Sequence, residues 1–153
     1  MDIYQKLKEL QIELPHASKA LALYVPVKIV GNMAYLSGHG PTVDGKLVCT
    51  GSVGTDVTVE QAQSAARLTA VNLLASLHEH LGDLNRVSSV VKLLGFVASA
   101  EGFNEQPAVI NAASELFINV FGENGRHARS AIGVNELPMG MSVEIEAVFE
   151  LAE

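Results

Sequence analysis

Three charged side chains interrupt two predicted strands near the end of the chain, where a fully buried sheet would carry only apolar residues. Arg129 stands in the run Ala128–Val134, and Glu144 and Glu146 stand in the run Val143–Leu151. In both runs apolar residues alternate with polar or small residues, which is the period of a strand with one buried face. The charged side chains therefore form a candidate site.

Pro138 and Gly140 supply turn chemistry between the two runs, so we predict a hairpin that places Arg129 and Glu144 on one face. A guanidinium can bind a carboxylate through two parallel hydrogen bonds, and a glutamate in a poorly solvated cleft can act as a general base. This pair points to chemistry on a small organic acid. The alternatives are an ion pair of Arg129 with Glu144 or Glu146 between subunits, and a solvated Glu144.

The remaining candidates carry weaker signals. Tyr24 lies in a predicted strand, where a tyrosine either packs or donates a hydrogen bond to a ligand. His39 is bracketed by glycines; we favour a surface-loop histidine without a role, and the alternative is an acid or a ligand contact. His78 and His80 are two residues apart on a predicted helix and face different ways, with no cysteine or acidic cluster nearby. We therefore predict no metal and no cofactor.

The composition limits the class of protein. With 153 residues, 48% of them hydrophobic, the chain can bury one core, so we predict a single domain over residues 1–153. One cysteine, Cys49, and no visible signal peptide favour a cytoplasmic location, and no apolar run is long enough to span a membrane. Ten Lys and Arg against 17 Asp and Glu, with scattered cations, make nucleic acid an improbable partner.

The predicted elements alternate between helices and strands. The helices are an amphipathic N-terminal one within residues 1–15, one from about Val59 to Leu81 and one from about Pro107 to Phe121. The strands are Ala20 to Val30, Met33 to Ser37, a short one around Leu47 to Val48, Val87 to Val97 and the two C-terminal runs.

This order predicts an α+β domain in which two long helices cover one face of a mixed sheet. The other face carries small and polar residues, including Ala131, Gly133, Glu144 and Glu146. An open sheet face with apolar parts is typical of a subunit interface, so we predict a closed homo-oligomer with a ligand site in a cleft between subunits.

A set of short motifs, from about Ala20 to the C-terminus, resembles the YjgF/RidA family of reactive-intermediate deaminases, also called L-PSP endoribonucleases. The motifs in order are Gly31-Asn32-Met33, Leu36-Ser37-Gly38, Val109-Ile110-Asn111, Arg129-Ser130, Leu137-Pro138 and Val143-Glu144-Ile145-Glu146. Their order and spacing together carry the resemblance.

The resemblance implies a chorismate-mutase-like α+β fold and a homotrimer with three clefts between adjacent subunits. It also implies an activity, the hydrolysis of enamines and imines such as 2-aminoacrylate to a 2-oxo acid and ammonia. By motif position Arg129 would bind the carboxylate of a small metabolite and Glu144 would orient water. Tyr24, Ser37 and Gly38 would bind the substrate.

The chain departs from the family pattern at several places. Ala131 occupies a substrate-binding position where archetypal deaminases often carry cysteine, and Ser37-Gly38 is followed by His39 where they carry glutamine. The N-terminal helix and a long loop from Ala98 to Gln106 are additions. These departures predict a divergent subgroup. A non-catalytic protein that binds 2-oxo acids therefore stays as an alternative, and an endoribonuclease is suggested by the family's older name alone.

Overall fold

The computed structural model describes residues 1–17, 19 and 22–153. Its main element is a five-stranded sheet with the strand order β1-β2-β7-β5-β6. These strands are Val27–Val30 (β1), Met33–His39 (β2), Val87–Ala98 (β5), Ala128–Val134 (β6) and Val143–Leu151 (β7), and a separate small ribbon joins Thr42–Val43 (β3) to Lys46–Leu47 (β4). All sheet pairings are antiparallel except that between β5 and β6.

The two long helices begin and end where their sequences predict. Helix α2, Val59–Leu81, starts with a capping box between Thr58 and Gln61 and stops at Gly82, which has the left-handed backbone conformation of a helix C-cap. Helix α3, Gln106–Phe121, carries Pro107 in its first turn, where a missing N–H costs little. Both helices pack on the same face of the sheet, and the predicted α+β fold is confirmed.

The burial of side chains alternates along β7 and distinguishes the two faces of the sheet. Its odd-numbered residues, from Val143 to Leu151, are buried against the helices, and its even-numbered residues are half-buried on the other side. We call that second side the open face. It is defined by Lys28, Tyr35, Lys92, Leu94, Phe96, Ile132, Glu144, Glu146, Val148 and Glu150.

The N-terminal helix α1, Ile3–Glu9, is docked on the domain. Ile3 and Leu7 are buried in the main core, and the Tyr4 hydroxyl lies 2.8 Å from Nδ1 of His78 while it accepts a hydrogen bond from the backbone N–H of Leu84. Among the described residues, no helix is long and apolar enough to cross a membrane.

Three local expectations need correction. The predicted strand from Ala20 is shorter, because β1 starts at Val27 and residues 22–24 form a bend; Ala20 and Leu21 lie outside the described residues. The predicted strand from Met33 to Ser37 is longer, since β2 continues through His39. The predicted C-terminal hairpin is wrong, because β5 lies between β6 and β7.

Candidate functional site

A groove of about 720 Å³ crosses the open face where β2 and β7 run side by side. Tyr24, Ser37, Gly38 and Glu144, four of the residues that we predicted for the site, line this groove together. Glu146 and Lys19 add charged groups. The wall opposite is apolar and consists of Leu47, Pro138, Met139 and Met141.

Glu144 occupies the groove in a less solvated setting than an ordinary surface carboxylate. Burial raises its pKa above the usual value for glutamate, and the nearby carboxylate of Glu146 raises the pKa further. Gly38 makes room for this side chain, because a Cβ at position 38 would lie 2.5 Å from Oε1 of Glu144. The expectation of a merely solvated Glu144 therefore does not describe this structure. A partly buried carboxylate with a raised pKa suits a general base.

Hydrogen bonds from helix α2 fix the end of strand β2 beneath the groove. His39 places Nδ1 2.6 Å from the carbonyl oxygen of Ser37 and Nε2 2.6 Å from the hydroxyl of Ser76. One helical turn earlier, Asn72 donates to the carbonyl oxygens of Gly40 and Thr42. His39 is thus a tethered, half-buried residue, and our interpretation of it as a surface-loop histidine is wrong.

Arg129 lies elsewhere, at the sheet edge and on the helix-covered face. Its Nη1 donates to Oδ1 of Asn111 at 2.8 Å and to Oγ of Ser114 at 3.2 Å, both on α3. Among the described residues no carboxylate lies within 4 Å of the guanidinium, and Nε and Nη2 have no acceptor. The side of the guanidinium formed by Nε and Nη2 is therefore available for a carboxylate.

The pairing of the strands shows that Arg129 and Glu144 lie on different faces of the sheet within one chain. Arg129 is paired with Leu93, a buried residue of the helix-covered face, whereas Glu144 is paired with Phe96 on the open face. Ala131 lies two residues beyond Arg129 on the same side of β6 and packs at the margin of the core. The site residues thus form two groups. Tyr24, Ser37, Gly38 and Glu144 line the groove, and Arg129 and Ala131 form what we call the arginine edge.

Sequence reasoning missed the residues that hold both groups. Asn111 was noticed as part of a motif, but its amide as an acceptor for Arg129 was not predicted, and neither were the roles of Ser114 and Ser76. Asn72 on α2 is buried, and its role was not predicted either. For Asn72 and Ser76 the signal was a small polar residue in an otherwise apolar helical stripe.

The part of the chain that the structure describes offers no arrangement for a metal. Within the described residues, no three His, Cys, Asp or Glu side chains are grouped in a way that could hold a metal ion. The unpaired Cys49 lies outside both groups of site residues.

Known proteins resemble this chain over nearly its whole length. A family model described as "YjgF/chorismate_mutase-like, putative endoribonuclease" matches residues 5–151. Protein TCP17 from Trypanosoma cruzi is 44% identical over 146 residues, which cover 95% of this chain and 91% of that protein. A 2-iminobutanoate/2-iminopropanoate deaminase from Salmonella typhimurium is 33% identical over 139 residues, which cover 90% of this chain and 94% of the deaminase.

A solved structure supports the same relationship. The crystal structure of Atu1372, a protein with unknown function from Agrobacterium tumefaciens, superposes with a TM-score of 0.91 at 51% identity and covers 98% of this chain and 92% of that one. Together with the fold and the family model, these similarities show that this chain belongs to the YjgF/chorismate-mutase-like family.

Proposed function

We propose that this protein hydrolyses small imine or enamine carboxylates, of the 2-aminoacrylate and 2-iminobutanoate type, to 2-oxo acids and ammonia. The observation that carries the proposal is Arg129, a fixed guanidinium with a free side for a carboxylate and no acidic partner among the described residues. The naming of a 33% identical relative as an imine deaminase supports the same chemistry.

Glu144 supplies the second element of the proposed reaction. Its carboxylate accepts a proton from a water molecule as the water oxygen bonds to the imine carbon, and the C=N electron pair moves to nitrogen. The resulting carbinolamine loses ammonia after nitrogen is protonated, and the carbon–oxygen double bond of the 2-oxo acid forms. An enamine such as 2-aminoacrylate first takes a proton on its terminal carbon to become the iminium ion, which gives the imine when nitrogen releases a proton. The raised pKa of Glu144 favours both proton transfers.

The proposed site contains parts of two copies of the chain. The groove lies on the open face and the arginine edge lies on the helix-covered face, so one copy cannot direct both at one small molecule. A homotrimer, with the arginine edge of one subunit beside the groove of the next, completes three equivalent sites. The exposed Tyr35 and Ile132 on the open face provide apolar surface for this contact.

Mixing two inactive variants tests the activity and its shared site together. Arg129→Ala and Glu144→Ala should each abolish ammonia release from 2-iminobutanoate generated in place by an amino-acid oxidase. When the two variants are unfolded together in equal amounts and refolded, about one quarter of the wild-type activity should return, because about one in four clefts then combines an intact edge with an intact groove. If neither variant loses activity, the deaminase proposal fails. If the mixture stays inactive, the shared site fails.

A non-catalytic protein that binds 2-oxo acids is the second candidate. It is favoured by Ala131, an apolar residue at the margin of the core where archetypal deaminases often carry a reactive side chain. Calorimetry with 2-oxobutanoate separates the two functions, because binding that depends on Arg129 without imine turnover supports the second.

An endoribonuclease is disfavoured by the charge of the groove. Two glutamates and one lysine line it, and that balance repels a phosphate backbone. Cleavage of a labelled RNA that is lost in Glu144→Ala would reverse this conclusion.

A further inference from the structure

Two histidines in distant parts of the chain have the same hydrogen-bond pattern. His39 and His127 each place Nδ1 near the carbonyl oxygen two residues earlier, at 2.6 Å from Ser37 and 2.7 Å from Gly125. Each places Nε2 near a serine hydroxyl on a long helix, at 2.6 Å from Ser76 and 3.0 Å from Ser114. One histidine supports the groove and the other supports the arginine edge.

The chemistry of these contacts fixes every proton. A carbonyl oxygen only accepts, so Nδ1 of each ring carries the proton and donates it. Burial lowers the pKa of both histidines, which keeps the rings neutral near pH 7 and leaves Nε2 as an acceptor. The serine hydroxyl must then donate its only proton to Nε2.

At the arginine edge this proton order has a direct consequence for Arg129. Because Ser114 donates to His127, the serine lone pairs face the guanidinium and accept from Nη1 at 3.2 Å. Asn111 accepts from the same nitrogen. The two acceptors on α3 occupy Nη1, which leaves Nε and Nη2 for a carboxylate.

At the groove, the hydrogen bonds of His39 hold the backbone where the pairing of two strands is irregular. The pairing of β2 with β7 shifts register between Leu36 and His39, and Gly38 lies within that shift. His39 spans Gly38 by its bond to Ser37 and attaches the strand to α2 through Ser76. This link holds the backbone beside Gly38, where a Cβ would lie 2.5 Å from Oε1 of Glu144.

We propose that His39 and His127 are positioning residues, each of which fixes the hydroxyl proton of one helix serine and so holds one half of the site, His39 the groove and His127 the arginine edge. The inference rests on the function proposed above. His127 and Ser114 act on carboxylate binding, and His39 and Ser76 act on the placement of Glu144. If these residues had a purely structural role, their substitution would lower stability without separate effects on carboxylate binding and on the placement of Glu144.

Nuclear magnetic resonance of ¹⁵N-labelled histidine in the full-length protein tests the proton order directly. At neutral pH we expect His39 and His127 to carry the proton on Nδ1, whereas the exposed His16 and His80 should show the tautomer mixture of free histidine. A proton on Nε2 of either His39 or His127 overturns the proposal.

Kinetics of serine variants test the division of roles. Ser114→Ala should raise KM for the imine and Kd for 2-oxobutanoate about 10-fold with little change in kcat, and Ser114→Thr should restore both. Ser76→Ala should lower kcat about 10-fold and leave KM nearly unchanged. Ser64→Ala, at an exposed position of α2, is the matched control and should behave as the wild type.

The outcomes separate this inference from the proposed function. The positioning roles are overturned if the wild type is active and both serine variants keep its kinetics, whether or not their Tm is lower. A wild type that hydrolyses no imine overturns the proposed function. The tautomers and the 2-oxobutanoate affinities of the variants then decide the inference alone.

Discussion

Gly38 lies so close to Glu144 that a Cβ at position 38 would be 2.5 Å from Oε1 and 2.9 Å from Cδ of that carboxylate. Gly38→Ala should therefore displace the carboxylate and lower kcat/KM for 2-iminobutanoate by roughly 10-fold or more, since small misplacements of a reacting group are costly. The measurement is steady-state ammonia release, with the far-ultraviolet circular dichroism spectrum as the check on folding.

A double-mutant cycle identifies the route of this effect. If Gly38 acts by making room for Glu144, the added methyl should change the residual rate of Glu144→Ala very little, because the clashing carboxylate is gone. A further 10-fold loss in the double variant would show that Gly38 acts through some other contact.

Glu144→Gln should make the protein more stable at neutral pH while it lowers activity. Burial and Glu146 raise the pKa of Glu144 in the folded state, so the ionised form is less favourable there than in the unfolded chain. The stability associated with the protonated form is present below about pH 4 and is lost as pH rises through the folded-state pKa. Tm of Glu144→Gln should exceed that of the wild type at pH 7, and the difference should shrink toward pH 4. A Tm of Glu144→Gln below that of the wild type at pH 7 would contradict this prediction.

Arg129→Lys should weaken the binding of 2-oxobutanoate by roughly 10- to 100-fold, because lysine cannot reproduce the planar fork of donors. It should also lose the two-acceptor contact to α3 that orients the side chain. Isothermal titration calorimetry measures the change. Arg126→Lys is the matched control, since Arg126 is exposed and paired only with Glu123 in the described structure; equal affinities in the two variants would remove Arg129 from the binding site.

Acidification should destabilise the fold through His39 and His127. Burial lowers the pKa of both rings, so the folded state favours the neutral forms. Their contribution to stability is present above about pH 6.5 and is lost as pH falls through the folded-state pKa values. Urea unfolding between pH 8 and pH 5 measures this slope. The slope should be smaller in Ser76→Ala and Ser114→Ala, in which each neutral ring has lost its hydroxyl donor, and an unchanged slope in both variants contradicts the assignment.

Tyr4→Phe should reduce the free energy of unfolding by about 1–3 kcal/mol and leave imine hydrolysis unchanged. The substitution leaves the N–H of Leu84 and Nδ1 of His78 without their shared partner in a half-buried place. Lys8→Ala is the comparison, since Lys8 is an exposed residue of the same helix. Equal unfolding curves for the two variants would show that the Tyr4 hydroxyl adds little stability.

Helix α2 and the alternating pattern of β7 could be predicted from sequence because both depend on local chemistry. A capping box, a C-terminal glycine and a 3.6-residue apolar stripe define the ends and buried side of α2 without reference to other elements. Alternation in the run from Val143 to Leu151 likewise fixes which side of β7 is buried. The family motifs added the fold and the residues Tyr24, Ser37, Gly38, Arg129 and Glu144.

The neighbour of each strand was decided by the tertiary structure. A turn signal at Pro138 and Gly140 predicts a hairpin, but the intervening residues form a short 3₁₀ turn, and β5 enters the sheet between β6 and β7. Strand pairing depends on contacts between residues that are far apart in sequence. A strand with two apolar sides buries more apolar surface inside the sheet than at its edge. Arg129 and Glu144 were thereby placed on opposite faces.

By itself, then, the sequence determined the residue types of the candidate site and the elements that carry them, since helix caps, strand alternation and turn residues act over a few positions. Only the tertiary structure decided that the site residues fall into two separate groups, and that His39, His127 and the helix serines support them. The physical reason is that a hydrogen bond between residues 37 positions apart, such as that of His39 with Ser76, leaves no periodic trace in the chain.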